Sequence, residues 1–206
     1  MNQIDQHSNT VQPSAPEEFF DVCDETGRPT GETVSRSRAH REGIPHRTAH
    51  VWIVRERGGH YDILLQKRSR DKDSFPGLYD TSSAGHIPAG DEPLPSALRE
   101  LREELGLELP PEALLPVGKF AIAYEKEFHG ALFRDNEIIW LYLCAAPVDE
   151  TALRLQPEEV EEVRWFDLRE VAEEIPHSRE RFCVPRQSLD LLRAYLDAHG
   201  LPAQRA

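Results

Sequence analysis

The chain is 206 residues long and about two fifths apolar, enough for one substantial buried core. A net charge of −13 excludes loose electrostatic attachment to nucleic acid or anionic lipid, although a small phosphorylated ligand stays open where metal ions neutralise the contact. No apolar run reaches the roughly 18 residues of a membrane span, and the scattered Cys23, Cys144 and Cys183 fit reduced structural thiols better than a disulfide framework or a zinc site.

Taken in chain order, residues 1–16 are polar and rich in Ser, Pro, Gln and Asn, which predicts a flexible tail. They have neither the basic start nor the apolar stretch of a signal peptide, so a cytoplasmic protein is expected. A single domain is expected over 17–200, divided into an N-terminal hairpin region (17–48), a core (49–168) and C-terminal helices (168–199). The turn DETGRPTG predicts the first hairpin. AHVWIV (49–54) and YDILLQ (61–66) flank a polar turn and predict a second, with buried strands. Further strands are predicted at 119–124, 138–145 and 162–168, with EKEFHGALFRDNE (125–137) as a polar loop facing the substrate. Helices are predicted at 93–105, at 168–175 and after Pro185, where Leu189, Leu192 and Leu196 share a face. Strands and helices interleave without regular βαβ alternation, which predicts an α/β fold with a mixed sheet and helices packed on it.

The helix at 93–105 carries the chemistry. Pro93 and Pro95 are tolerated only in a first helical turn, and Gly106 suits the left-handed residue that ends a helix. Leu94, Leu98, Leu101 and Leu105 form one apolar stripe, whereas Glu100, Glu103 and Glu104 gather on another face. Carboxylates at such spacings repel by roughly 0.2–0.5 kcal/mol per pair, and the helix dipole disfavours anions near the C-terminal end. Two compensations are open: solvent with Arg99 and Arg102, or a divalent cation, Mg²⁺ or Mn²⁺, for which clustered carboxylate oxygens are hard ligands.

The surrounding pattern favours the cation. Gly85, Asp91 and the run Arg99-Glu100-Leu101-Arg102-Glu103-Glu104-Leu105-Gly106-Leu107 closely resemble the signature of the Nudix hydrolases, departing from it at Asp91, where that family usually has Glu. The resemblance implies an α/β/α sandwich with a mixed β-sheet and a loop-helix-loop catalytic motif. It also implies Glu100, Glu103 and Glu104 as ligands to Mg²⁺, with Mn²⁺ as a substitute. Glu100 or Glu103 would lie close to the attacking water, Arg99 would orient the acids, and Gly85 and Gly106 would supply permissive backbone angles. The activity implied is hydrolysis of a phosphoanhydride in a small organic diphosphate, and a homodimer using the N-terminal hairpin or C-terminal helix is an expectation from the same family.

A second resemblance predicts a different reaction on the same fold. ETGRPTGETVSRSRAHREGIPHRTAHVWIV, LLQKRS, FPGLYDTSSAGH and DNEI are similar to the isopentenyl-diphosphate isomerases. That family implies metal-holding histidines, with counterparts in His40, His46 and His86, and an acid pair with counterparts in Asp135 and Glu137. Its catalytic cysteine has no counterpart, because Ala84 precedes Gly85-His86. An alanine moves no proton, so hydrolysis is the expected chemistry, with isomerisation and a non-catalytic ligand sensor as the alternatives. Glu137 is expected as general base or additional metal ligand, and His86 as a metal ligand. Arg68, Lys67 and Phe128 are expected to contact substrate, with Phe75, Tyr79, Tyr124 and Phe133 as candidate aromatic walls. No tract of basic residues suits a nucleic-acid polymer.

Overall fold

The computed structural model describes residues 17–202, so the tail expected at 1–16 lies outside the described residues. β1 (Phe19–Cys23) and β2 (Pro29–Ser35) form the first antiparallel hairpin, and Asp24 fixes its turn by accepting from the Thr26 and Arg28 backbone N–H groups. A short helix not foreseen in the sequence, α1 (Arg36–Glu42), follows and stops at Gly43, whose φ of 69° is left-handed. Only Ala39 and His40 of this helix are buried, so it carries too little apolar periodicity to be legible beforehand.

The seven-stranded sheet is built on β3 (His46–Arg57). One edge of β3 runs parallel to β8 (Ala131–Cys144); the other pairs antiparallel first with β6 (Ser83–His86) and then with β4 (His60–Arg68). β4 also pairs with β5 (Tyr79–Asp80) and β9 (Val160–Asp167), and β7 (Leu114–Phe128) closes the far edge against β8. Side chains alternate across the sheet. Trp52, Val54, Ile63 and Leu65 pack with Leu168 and Val171 of α3 (Leu168–Glu174) and with Leu189, Leu192 and Leu196 of α4 (Arg186–His199). Val51, Ile53 and Leu64 pack on the opposite face with Ala97, Leu101 and Leu105 of α2 (Pro93–Leu105). Helices on both faces of a mixed sheet give the expected α/β/α sandwich. The buried indole of Trp52 donates from Nε1 to Ser188 Oγ (2.9 Å), pinning α4 to the sheet.

Two local expectations are corrected. Residues 125–137 are not a loop: β7 and β8 continue through them as a hairpin whose two-residue turn, His129-Gly130, has φ of 51° and 77°. Positive φ at both central residues matches the twist of the flanking strands, so the ladder persists beyond the apolar runs. Gly85 does not occupy a left-handed angle, as Gly106 does at φ 66°, but lies in β6. It is required for space, because a Cβ there would overlap the Glu100 carboxyl group.

Candidate active site

α2 presents its acids to β6. Glu104 is almost fully buried and accepts from Ser83 Oγ (2.6 Å), the Ala84 backbone N–H (3.3 Å) and Gln66 Nε2 (3.4 Å). Glu100 packs on Gly85. Arg99 bridges Glu100 (2.6 Å) and Glu103 (2.8 Å) and donates to the His86 carbonyl (3.0 Å), so it ties the acidic turn to β6. Burial, reinforced by the neighbouring Glu104, pushes Glu100 up to about 8, and burial pushes Glu104 up to about 7. A solvated acidic face does not describe this arrangement, because two of the three carboxyl groups lie inside the protein.

A second cluster faces the first across one cavity. His40 comes from α1, His46 from the start of β3, His86 from the end of β6, and Asp135 and Glu137 from β8. His86 and His46 place Nε2 at 3.7 and 3.8 Å from Glu137 Oε1, while His46 and His40 place Nε2 at 3.8 and 3.9 Å from Asp135 Oδ1. His46 Nδ1 meets the Ile44 carbonyl at 2.8 Å, which makes it the protonated nitrogen and leaves Nε2 as a lone-pair donor directed into the cluster. Thr48 Oγ1 donates to Glu137 at 3.3 Å. Phe20 of β1 stacks on His86 and His46, with centroid separations of 4.5 and 5.1 Å. The N-terminal hairpin therefore walls the site, a role the sequence did not disclose. Burial drives His40 down to about 3 and His46 to about 4, pushes His86 well down, and raises both Asp135 and Glu137.

The cavity has a volume of about 660 Å³ and is lined by Glu100, Glu103 and Glu104 and by His40, His86, Asp135 and Glu137, while the fully buried His46 stays outside the lining. Arg68 reaches it and is held by Asp80 (3.2 Å) and the Ser74 carbonyl (3.0 Å). Lys67 does not reach it, because alternation along β4 points it away to pair with Glu161 (2.8 Å). Phe75, Tyr124 and Phe133 form an aromatic wall, while Phe128 stays outside the lining and packs edge-on against Phe75, 4.9 Å between centroids. Tyr79 belongs to the core around Trp52 rather than to the cavity. Asp91 also lies outside the lining and is engaged through its backbone, its carbonyl accepting from Arg47 (2.9 Å) and its N–H donating to the Pro88 carbonyl (3.0 Å).

The donor set suits cations. His46 Nε2 and Asp135 Oδ1 are buried without a hydrogen-bond partner, which a buried polar atom does not tolerate cheaply. Their 3.7–3.9 Å separations are too long for hydrogen bonds and close to the spacing of neighbouring ligands around one ion. Glu100, Glu103 and Glu104 supply oxygens alone, the preference of Mg²⁺, whereas the mixed nitrogen and oxygen cluster suits Mn²⁺ or a similar transition ion.

A model of the NUDIX domain family matches residues 44–184. The chain belongs to the Nudix hydrolase family. It is 44% identical over 156 residues to Nudix hydrolase 3 of Arabidopsis thaliana, a match that covers 75% of this chain and 20% of that protein, so the chain spans about a fifth of that relative's length. It is 31% identical over 167 residues to the isopentenyl-diphosphate Delta-isomerase of Dinoroseobacter shibae, covering 81% of this chain and 86% of the isomerase. A solved protein of Deinococcus radiodurans has the same fold, with a TM-score of 0.63 at 19% identity, over 86% of this chain and 99% of the other. Both resemblances read from the sequence, to the Nudix hydrolases and to the isomerase branch, are thus borne out.

Proposed function

We propose that the chain hydrolyses the phosphoanhydride of a small organic diphosphate, of the nucleoside-diphosphate type or a related one, with Mg²⁺ or Mn²⁺ as cofactor. The observation that carries this reading is the complete acid set, Glu100, Glu103 and Glu104, converging on a cavity with Arg99 bridging two of its members. These three acids would hold one ion, and His40, His46, His86, Asp135 and Glu137 a second. When bound, the metal neutralises the diphosphate, lowers the pKa of an attacking water and stabilises the departing phosphate. Arg99 keeps Glu100 and Glu103 in register with each other, and Ser83 with Ala84 fixes Glu104. Glu103, the most exposed of the three, pairs with Arg99 through Oε2 and would take the proton of the water on Oε1. Arg68, already braced by Asp80, offers its guanidinium to a terminal phosphate, and the aromatic wall contacts the organic part of the substrate.

Isomerisation is the second reading, and the five-residue histidine and acid cluster favours it. Ala84 opposes it, since a double-bond shift needs proton transfer on both faces of the substrate. The deciding experiment is a mass-spectrometric screen with Mg²⁺ over nucleoside di- and triphosphates, nucleotide sugars, dinucleotides and isopentenyl diphosphate, run beside Glu103→Gln and Glu137→Gln. Phosphate or phosphomonoester release that Glu103→Gln abolishes supports hydrolysis; an isomerised prenyl product without phosphate release overturns it.

A further inference from the structure

A separate cluster lies at the opposite end of β4. Arg68 reaches the catalytic cavity, whereas Asp62 stands six residues earlier, about 20 Å away at roughly 3.3 Å per strand residue. Asp62 is 1% exposed and is the register partner of Asp167 on β9. Its Oδ2 accepts from Arg55 Nε and faces Arg57 Nε, both at 3.1 Å, while its Oδ1 is buried and has no hydrogen-bond partner. That orphaned oxygen faces His60 Nε2 at 3.7 Å, and Asp167 Oδ2 approaches the same nitrogen at 3.6 Å. Asp167 uses Oδ1 to cap α3, accepting from the Arg169 and Glu170 N–H groups at 2.8 and 3.2 Å, so Oδ2 is the oxygen left over.

We infer that His60, Asp62 and Asp167 form a separate, non-catalytic metal site for a divalent transition ion of the Zn²⁺ class. Distances of 3.6 and 3.7 Å are too long for hydrogen bonds. Ligands on a tetrahedral ion with bonds of about 2.0–2.2 Å stand roughly 3.3–3.6 Å apart, close to what is seen. One imidazole nitrogen with two carboxylate oxygens is a borderline donor set, which selects Zn²⁺ over Mg²⁺. Arg55 and Arg57 already offset part of the acid charge, and Glu170 and Glu174 on the adjoining cavity wall restore negative potential beside Arg164 and Arg181. That cavity, about 460 Å³, borders His60 and Asp167 and admits water as a further ligand. The ion would clip the β3–β4 hairpin to the junction of β9 and α3, stabilising the sheet edge without touching the reaction.

The test is Zn²⁺ stoichiometry on the full chain by equilibrium dialysis and metal analysis, comparing wild type, His60→Ala, Asp167→Asn and His86→Ala. Asn retains a capping oxygen for α3, so Asp167→Asn separates the site from the helix cap. The site predicts one Zn²⁺ equivalent fewer in His60→Ala and Asp167→Asn, with melting temperatures in chelator unchanged and hydrolysis in Mg²⁺ unchanged. His86→Ala should retain this equivalent and lose another. Wild-type stoichiometry in both His60→Ala and Asp167→Asn would overturn the site and leave His60 as an ordinary partner of two carboxylates, without bearing on the proposed hydrolysis.

Discussion

The two acids buried on α2 make a quantitative claim about the metal-free protein. Glu100 and Glu104 titrate near 8 and 7 in the folded chain, against an ordinary value of 4.5. Each therefore holds a proton that the unfolded chain has already released. A carboxyl group with a raised folded pKa contributes stability below its unfolded pKa and loses it as pH rises through the folded value. The buried histidines act in the opposite sense, because their folded values are lowered from 6.5, but their pH dependence is finished once pH exceeds about 6.5. Above that point only the acids remain, and Glu137, also raised by burial, adds to them. At about 1.4 kcal/mol per pH unit for each proton held, Glu100 and Glu104 together cost on the order of 2–3 kcal/mol between roughly pH 6.5 and 8. For a domain of this size, that is a fall of about 5–10 °C in Tm. The measurement is Tm by circular dichroism across that range in EDTA, then with saturating Mg²⁺ or Mn²⁺. The fall should appear in EDTA, shrink in Glu100→Gln and disappear with metal, because a bound cation stabilises the ionised carboxylates. A flat or rising profile in EDTA, or the same fall with metal present, would refute the assignment of these acids as a cation site.

Three further substitutions test separate parts of the structure. Glu104→Gln keeps the size of the side chain but removes the charge accepting from Ser83 and Ala84; kcat in Mg²⁺ should fall at least about 100-fold while the circular-dichroism spectrum is unchanged, and a loss under about 3-fold would show that Glu104 holds no metal. Gly85→Ala introduces a Cβ into the Glu100 carboxyl group, so it should lower stability by about 1–3 kcal/mol and depress kcat more strongly than Gly118→Ala, where the Cβ makes only ordinary contact with Leu191. Ser188→Ala strands the buried Trp52 indole N–H and should cost about 1–3 kcal/mol by urea denaturation without altering kcat.

What could be read beforehand followed from the strength of local signals. α2 was legible to the residue because Pro93, Pro95 and Gly106 mark its ends and four leucines mark its inward stripe, Leu101 and Leu105 fully buried and Leu94 and Leu98 partly so. The buried runs of β3, β4 and β8 declared themselves by apolar content, although each strand extends beyond its apolar stretch. α1 was not legible, since a helix burying only Ala39 and His40 is held by tertiary contact rather than by pattern. The histidine cluster was legible only in part: resemblance named His40, His46, His86, Asp135 and Glu137, but only the folding of α1, β3, β6 and β8 brings them into two overlapping ligand sets, His40 with His46 and His86, and His46 with Asp135 and Glu137. Phe20, which stacks on two of those rings, gave no signal at all, because a phenylalanine in an N-terminal hairpin reads as ordinary core. Lys67 illustrates the converse: adjacent to Arg68 in sequence, it faces away from the cavity through strand alternation alone.

The same cavity raises the question of whether another thiol could replace the one missing at Ala84. Cys183 does line it, so the substitution has to be argued on chemistry rather than on distance along the chain. Its Sγ lies 3.4 Å from the Tyr79 carbonyl, which engages the thiol proton, and burial together with the nearby Asp80 pushes the thiol pKa well above its usual value. A thiol held protonated in this way donates to the backbone and is a poor base, the reverse of the activated cysteine that proton transfer to a prenyl substrate requires. Cys183→Ser should therefore leave diphosphate hydrolysis within about 3-fold of wild type, and neither protein should form an isomerised product in the prenyl assay. Finding dimethylallyl product with wild type and losing it in Cys183→Ser would show that this fold has moved the acid to the connection between α3 and α4, and would transfer the protein from hydrolysis to isomerisation.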